Sequence, residues 1–239
     1  MKPLPILYKD HSMVAVDKPS GLLVHRTPLS RDRECVLQTL RDQLGQRVYP
    51  AHRLDRSASG VLLFALDPVA CRALSLQFAT QKISKRYLAV VRGYAPAQGH
   101  IDYALRKDPD KARQAAVTDY QTLATVELAV AIGRYATARY SLIAAFPKTG
   151  RRHQIRKHLA HISHPLIGDT VYGEGRHNRL FRERYGLHRL MLAAVELSFL
   201  HPVTQSPVTI VAPPAAEFAR FIKAVGWRAE NVKKPGQED

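Results

Sequence analysis

A polar segment followed at once by a continuous apolar run constrains the fold of this chain more than any other feature. Residues 52–60 read His-Arg-Leu-Asp-Arg-Ser-Ala-Ser-Gly, and Val61–Leu66 then contains only apolar residues. A short apolar run bounded by turn residues predicts a strand buried on both faces. Asp67-Pro68 supplies an N-cap with proline at the first helical position, which predicts a helix to about Gln81. The polar segment is therefore expected at the end of an interior strand.

Short strands and a few helices are predicted along the rest of the chain. Because strands outnumber helices and many connections are short, the pattern predicts an α+β fold: a mixed, largely antiparallel sheet flanked by helices and loops. Residues 98–113 are polar and turn-rich, and no element is predicted there. The other predicted strands are Ile6–Tyr8, Val14–Asp17, Leu22–Val24, Lys85–Arg92, Val117–Leu128, Thr137–Phe146 and Leu190–Leu200, and the other helices are Glu34–Leu44, Arg151–Ser163 and Pro214–Val225.

The positive charge belongs to the folded body of the chain. The 239 residues carry 36 Lys+Arg and 20 Asp+Glu, a formal net charge of +16. Residues 1–120 contribute 19 − 11 = +8 and residues 121–239 contribute 17 − 9 = +8, so no terminal arm holds the excess. Residues 128–168 contain no acidic residue, which favours a surface that faces phosphates over a solvated face. Such a charge is typical of proteins that bind nucleic acid or an anionic membrane, and the alternative is a merely basic enzyme.

Composition excludes several classes of protein. A hydrophobic content of 46% excludes a disordered basic protein, and two cysteines exclude a disulfide framework. Neither a spanning apolar run nor a secretory signal is present, so we expect a cytoplasmic protein without a membrane partner. We expect one catalytic domain over residues 1–227 and a basic, polar C-terminal tail over residues 228–239.

Asp55 is the first candidate for chemistry. It lies between Arg53 and Arg56, and nearby positive charge lowers the pKa of a carboxyl group. An acid ionised at neutral pH suits a nucleophile or a general base. The alternative is an aspartate that caps a turn and pairs with its neighbouring arginines, and the residues alone do not decide between the two.

The basic segment Lys148–His158 is the second candidate. Its cationic side chains favour phosphate binding, but the spacing of a nucleotide-binding P-loop is missing. No metal site is predicted among the nearby histidines, because five Lys/Arg surround them and the next acid is Asp169. The segment 165–173, which contains Asp169, is interpreted as a structural turn.

Three tyrosines next to basic residues allow two interpretations. Tyr87 follows Lys85 and Arg86 at the start of a predicted strand, and Tyr135 and Tyr140 lie beside arginines. Each could stack on a nucleic-acid base or be an ordinary half-buried strand tyrosine.

Five segments in order resemble one family. The segments are Lys18-Pro-Ser-Gly21, residues 52–60, Lys85-Arg86-Tyr87, residues 150–158 and residues 165–173. Together they resemble the RluA family of RNA pseudouridine synthases, from about residue 6 to residue 212. Ala58 stands where the family usually has threonine. The chain is expected to begin at the catalytic domain, without the S4 RNA-binding module of some relatives.

The resemblance implies an isomerase that needs no cofactor or metal. A uridine is flipped out of the RNA, its glycosidic bond is broken, the uracil turns, and C5 is joined to C1′. Asp55 matches the essential catalytic acid, and Tyr87 matches the aromatic residue that stacks on the uracil. Arg156 matches the basic residue that pairs with the catalytic acid, and Ile155 matches an apolar residue that packs by the site. Arg53 matches the arginine that helps to occupy the space left by the flipped base.

The finer similarity within the family implies tRNA as the partner, with uridine 65 as the target, and no protein partner is required. The alternatives are a synthase that acts on ribosomal RNA and a non-catalytic RNA-binding protein. The cationic side chains expected to bind RNA are Lys85, Arg86, Arg151, Arg152 and Lys157.

Overall fold

A computed structural model describes residues 2–26, 34–108 and 110–227. The predicted tail, residues 228–239, lies outside these ranges. The strands are β1 (Ile6–Lys9), β2 (Met13–Lys18), β3 (Tyr49–Pro50), β4 (Ser59–Ala65), β5 (Ser84–Arg92), β6 (Gln98–Asp102), β7 (Leu105–Arg106), β8 (Arg113–Gln114), β9 (Val117–Leu128), β10 (Ala138–Pro147), β11 (Leu192–Leu200) and β12 (Pro207–Val211). The helices are α1 (Val36–Leu44), α2 (Pro68–Ala79), α3 (Gln154–His161), α4 (Gly175–Tyr185) and α5 (Ala216–Ala224).

The chain divides into two compact units, whose boundaries fall inside β5 and β11. The first unit contains Met1–Arg86 and Ala194–Pro213, and the second contains Tyr87–Ala193 and Pro214–Asp239. The single domain expected over residues 1–227 stays a prediction.

The first unit is built around β4. Its strands lie in the order β1, β2, β4, β11, with β3 paired to β4 and β12 to β11. All seven residues of β4 are buried, which confirms the interior strand that the apolar run predicts. Leu63 and Phe199 pack with Leu74 of α2 in one apolar cluster. Helix α2 begins as predicted, because the Asp67 side chain accepts hydrogen bonds from the N–H groups of Val69 and Ala70.

The second unit has the strand order β5, β10, β9, β6, and all three pairings along it are antiparallel. Strand β5 belongs to this unit only from Tyr87 onward. Helix α4 packs through Phe181, whose ring lies 4.8 Å from that of Tyr140 on β10 and 4.9 Å from that of Phe221 on α5. Both units combine antiparallel strands with helices, so the α+β prediction is confirmed. No helix within the described ranges is long and apolar enough to cross a membrane.

Several predicted elements differ from the structure by a few residues at their ends, and the two-residue strand β3 was not predicted. Four further differences are larger. Leu22–Val24 is not a strand, and only Leu23 forms an isolated bridge, to Cys35. Helix α3 begins at Gln154 rather than Arg151, because His153 adopts the left-handed conformation, with φ of 56°. The polar segment 98–113 contains strands β6 and β7 and the start of β8. Helix α4 and strand β12 were not predicted.

Candidate active site

Asp55 lies half-buried in the loop that joins β3 to β4. The N–H of Ala58 donates to the backbone oxygen of Asp55 at 3.2 Å, which closes a tight turn. The fully buried Lys18, at the end of β2, contacts the backbone of this turn. Its Nζ donates to the backbone oxygens of Pro19 at 2.8 Å, Arg56 at 3.1 Å and Ala58 at 2.8 Å. Three bonds from one ammonium group fix the backbone on which Asp55 is carried.

The turn after Lys18 adds a second set of bonds to the same loop. The hydroxyl of Ser20 donates to the backbone oxygen of Ser57 at 2.6 Å. The N–H of Gly21 donates to the oxygen of Arg56 at 2.8 Å, and Nε of Arg56 donates back to the oxygen of Gly21 at 2.9 Å. The sequence identified residues 18–21 as a turn and as one of the five segments of the family resemblance, but it gave Lys18 no role. A lysine at the end of a strand of mostly buried residues was the sequence feature that could have predicted a structural role for Lys18.

His52 holds the other side of the Asp55 loop to β4. Its Nε2 accepts a hydrogen bond from the N–H of Leu63 at 3.1 Å, and its ring stacks on Phe78 at 4.5 Å. Burial, with a smaller contribution from the charge of Lys85, lowers the pKa of His52 to about 3. The imidazole is therefore neutral at physiological pH, as an acceptor of this bond must be.

The basic residues of the first unit differ in exposure. Arg53 is exposed, next to Asp55 in the loop. Lys85 is half-buried, and burial lowers its pKa to about 8. Arg86 is only 7% exposed; burial lowers its pKa, and the nearby charge of Glu196 acts in the opposite direction. Arg86 presents little surface to an RNA, although its predicted role as an RNA-binding residue stays a prediction.

Arg156, in the second unit, forms a buried ion pair that the sequence did not predict. Its Nε and Nη2 donate to Oδ2 and Oδ1 of Asp169 at 2.7 and 2.8 Å. The Arg156 side chain is 7% exposed and that of Asp169 is 0% exposed. Burial raises the pKa of Asp169, but the hydrogen bonds from Arg156 and from two backbone N–H groups outweigh it, so the pKa lies below its usual value. Removing one partner of such a pair costs about 3–5 kcal/mol of stability.

The segment after Asp169 fixes this carboxylate in place. Oδ1 also accepts from the N–H of Val171 at 2.9 Å and of Tyr172 at 3.0 Å. The Tyr172 ring lies 5.1 Å from Cζ of Arg156, at cation–π distance. The segment 165–173 is therefore more than the structural turn that the sequence suggests, because it orients the guanidinium group of Arg156. The predicted pairing of Arg156 with Asp55 stays a prediction.

Tyr87 and Ile155 occupy different elements of the same unit. Tyr87 is half-buried on β5, opposite Ala145 of β10. Ile155 is 6% exposed on α3, next to Arg156. The start of α3 is held to β9 by Gln154, whose Nε2 donates to the oxygen of Val117 and to the hydroxyl of Thr118, both at 2.9 Å.

The three basic residues predicted to bind RNA around α3 each contact the segment that contains β7 and β8. Arg151 donates to the oxygen of Ala115 at 3.1 Å, and Lys157 donates to the oxygen of Arg106 at 2.7 Å. Arg152 pairs with Asp108 at 3.3 Å. All three keep exposed surface, so they hold this segment and still offer charge to solvent.

The histidines near α3 serve the fold. His158 is fully buried, with Nδ1 at 2.9 Å from the Thr118 hydroxyl and Nε2 at 3.0 Å from the oxygen of Tyr103. His161 stacks on the Tyr103 ring at 3.7 Å. Among the residues that the structure describes, no group of three or more metal-ligating side chains could hold an ion.

Residues 12–161 match the family described as RNA pseudouridylate synthase, and the chain belongs to this family. Three curated relatives carry the name tRNA pseudouridine synthase C. The protein from Vibrio cholerae is 47% identical over 236 residues, covering 94% of this chain and 97% of the relative. That from Pasteurella multocida is 47% identical over 96% and 99% of the two chains. That from Pectobacterium carotovorum is 51% identical over 94% of this chain, which spans 63% of that longer protein.

Two human structures share the fold. RNA Pseudouridylate Synthase Domain Containing 1 aligns with a TM-score of 0.70 and 25% identity, covering 88% of this chain and 83% of that one. Domain Containing 4 aligns with a TM-score of 0.72 and 24% identity, covering 92% of each chain. The resemblance drawn from the five segments is thus confirmed, and the chain is an isomerase of the pseudouridine synthase class.

Proposed function

We propose that this chain converts uridine 65 of tRNA into pseudouridine, with Asp55 as the catalytic residue. The observation that carries the proposal is the identity of 47% to a tRNA pseudouridine synthase C over nearly the full length of both chains. The alignment covers 94% of this chain and 97% of the relative, so the similarity is not confined to the segment around Asp55. The choice of uridine 65 rests on the finer resemblance of the sequence.

The reaction breaks the bond between C1′ and N1 of uridine and forms a bond between C1′ and C5, while C5 loses a proton and N1 gains one. Positive charge develops on the sugar and negative charge on the uracil as the first bond breaks. The side chain of Asp55 acts on the sugar, either by adding to it or by removing a proton from C2′, and cations stabilise the uracil. The target base must first leave its stack, and Tyr87 supplies a ring on which the flipped uracil stacks.

The loop geometry supports this role for Asp55. Lys18, Ser20 and His52 hold the backbone on both sides of the residue, so the carboxylate is carried on a fixed support. A catalytic group that is already positioned needs little reorganisation when the substrate arrives. The buried bonds between Arg156 and Asp169 likewise fix the guanidinium group.

The catalytic role is tested by Asp55→Asn, which keeps the size of the side chain and removes its charge. Pseudouridine is mapped on an unmodified tRNA transcript by carbodiimide treatment and primer extension. We expect the rate to fall at least about 100-fold, the contribution typical of a positioned acid or base. Asp42→Asn, on the exposed face of α1, is the matched control and should retain full activity. An Asp55→Asn enzyme as active as the control would overturn the assignment.

The substrate is tested separately with the wild-type enzyme. A tRNA transcript, the same transcript with cytidine at position 65, and unmodified large-subunit ribosomal RNA are incubated in parallel. Product on the first alone supports the proposal. Product only on ribosomal RNA would favour the ribosomal alternative, and binding without product on any of the three would favour a non-catalytic RNA-binding protein.

A further inference from the structure

Helix α4 carries exposed arginines that the proposed site does not use. Arg176, Arg179 and Arg182 follow one another at intervals of three, and all are exposed. The opposite side of the helix packs into the unit through the buried residues Asn178 and Phe181. Like charges three residues apart disfavour a helix unless an anion lies nearby, and Glu183 is the one exposed acid within α4.

The connection between β9 and β10 places another arginine, Arg134, beside helix α4. The connection between β9 and β10 contains a two-residue turn, in which Ile132 and Tyr135 exchange hydrogen bonds of 2.9 and 3.2 Å. Gly133 takes φ of 61° at the first position of this turn, where a type II′ turn needs a positive φ. The turn therefore presents Arg134 at its tip.

The side chain of Arg134 is held by its neighbour. Its Nη2 donates to the Tyr135 hydroxyl at 3.0 Å, and its Cζ lies 5.1 Å from the centre of the Tyr135 ring. Tyr135 is 61% exposed, whereas Tyr140 is completely buried. Tyr140 is therefore a core residue and cannot stack on a base. Tyr135 lies at the surface beside the Arg134 guanidinium group, where it could stack on one.

The two elements meet at Gly133. A Cβ atom on this glycine would lie 2.7 Å from Nη1 of Arg176, so the arginine side chain rests against the turn. Nearby carboxylates already have partners, because Glu174 pairs with Arg92 and Glu127 with Arg139. Within the described ranges, no ion pair includes any of the four arginines that form this arginine ridge, namely Arg134, Arg176, Arg179 and Arg182.

We infer that the arginine ridge is a second RNA-binding surface, which takes phosphates of the substrate RNA away from the target uridine. Four guanidinium groups from two separate elements, with Glu183 as the single acid within α4, complement the charge of an RNA backbone. The inference rests on the proposed function for the identity of the RNA.

The ridge lies at a distance from the uridine site. Tyr87 and Arg92 are five residues apart on β5, which corresponds to about 17 Å along an extended strand. Arg92 pairs with Glu174, the residue that immediately precedes α4. Phosphates at the ridge therefore belong to nucleotides beyond the immediate neighbours of the flipped base, and a trinucleotide centred on the target uridine cannot reach both places.

The test replaces Arg134, Arg176 and Arg179 together by glutamine in the full-length chain. The dissociation constant for a full tRNA transcript is measured by filter binding between 50 and 300 mM salt, with KM and kcat from the pseudouridine assay. We expect the dissociation constant to rise roughly tenfold near 150 mM salt, and the log–log salt slope to become shallower by about 2 to 3. The kcat should not change, because no substituted residue touches the uridine.

Three controls separate this role from a structural one. Arg184→Gln, on another side of the same helix, should leave binding unchanged, whereas Glu183→Gln should tighten it. A trinucleotide centred on the target uridine, measured as a competitor of full tRNA, should bind the triple variant as well as the wild type. If thermal melting shows that the triple variant is unstable, Arg179→Gln alone is measured, with an expected decrease in slope of about 1.

Unchanged affinity and salt slope for the full tRNA would overturn the inference, and so would an equal loss of affinity for the trinucleotide. A wild-type chain that binds tRNA through the ridge but makes no pseudouridine would instead overturn the proposed function and leave this surface in place.

Discussion

Buried polar side chains hold the parts of the site, and each does so with several bonds. Lys18 reaches three backbone oxygens, and Asp169 accepts from Arg156 and from two backbone N–H groups. A buried polar group without partners costs roughly 1–3 kcal/mol, so such residues occur where the surrounding fold satisfies them. Asp55 and Arg156 are candidate site residues that local motifs predict. Their supporting partners could not be predicted, because Lys18 and Asp169 act across 40 and 13 residues of chain.

His52 makes the stability of the first unit depend on pH. Its pKa of about 3 lies below the ordinary value of about 6.5, so the unfolded chain binds a proton more readily than the folded one. Stability is therefore complete above about pH 6.5 and falls as the pH decreases toward 3, by up to about 1.4 kcal/mol per pH unit. Protonation also removes the acceptor of the Leu63 N–H. We expect urea unfolding of the wild type to show this loss between pH 7 and pH 4.5.

The variant His52→Gln keeps an acceptor near the Leu63 N–H and has no charge to gain. Its stability should decrease less between pH 7 and pH 4.5 than that of the wild type, even if it is lower at pH 7. His188→Gln, at an exposed position, is the matched control and should follow the wild-type curve. Parallel curves for wild type and His52→Gln would show that the imidazole is not kept neutral by the fold.

Helices and strands that an apolar pattern marks in the sequence were predicted well. Those that depend mainly on packing against distant residues were not. Val117–Leu128 was predicted to the residue, and β4 and α2 nearly so, because apolar runs and caps mark them in the sequence. Helix α4 has only three apolar or aromatic side chains among eleven residues, Leu180, Phe181 and Tyr185. Its arginines suggest no buried face, and it is stabilised by Phe181 packing on Tyr140 and Phe221.

Gly60 shows how closely two strands approach behind the Asp55 loop. Its φ is 107°, and a Cβ atom there would lie 2.0 Å from the backbone oxygen of Ala194 on β11. Gly60→Ala must therefore displace backbone, and we expect the free energy of unfolding to fall by about 3 kcal/mol or more. Gly175→Ala is the matched control, because no atom lies within 4 Å of that Cβ position and alanine favours a helix.

The two glycine variants are compared by urea denaturation, and Gly175→Ala should be neutral or slightly stabilising. Gly60→Ala should also lower kcat if it folds, since β4 begins where the loop that carries Asp55 ends. Equal unfolding midpoints for Gly60→Ala and the wild type would show that the two strands do not approach as closely as the structure indicates.

At the scale of the whole molecule, the charge of +16 is divided among different tasks. Part of it lies inside the protein, where Lys18, Arg86 and Arg156 are buried. Arg151, Arg152 and Lys157 hold a neighbouring segment, and the arginine ridge is exposed without carboxylate partners in the described part of the chain. Composition could predict an anionic partner, but only three-dimensional contacts separate the cations that face solvent from those that do not.

This division predicts how activity depends on salt. Exposed arginines release the counterions of RNA on binding, so the KM for tRNA should rise steeply between 50 and 250 mM salt. The buried pair of Arg156 and Asp169 is screened far less, so kcat should stay nearly constant over the same range. With six or so phosphate contacts, the log–log slope of kcat/KM against salt is expected at about −4 or steeper. A flat KM, or a kcat that falls in parallel with kcat/KM, would show that salt acts on the site itself rather than on exposed cations.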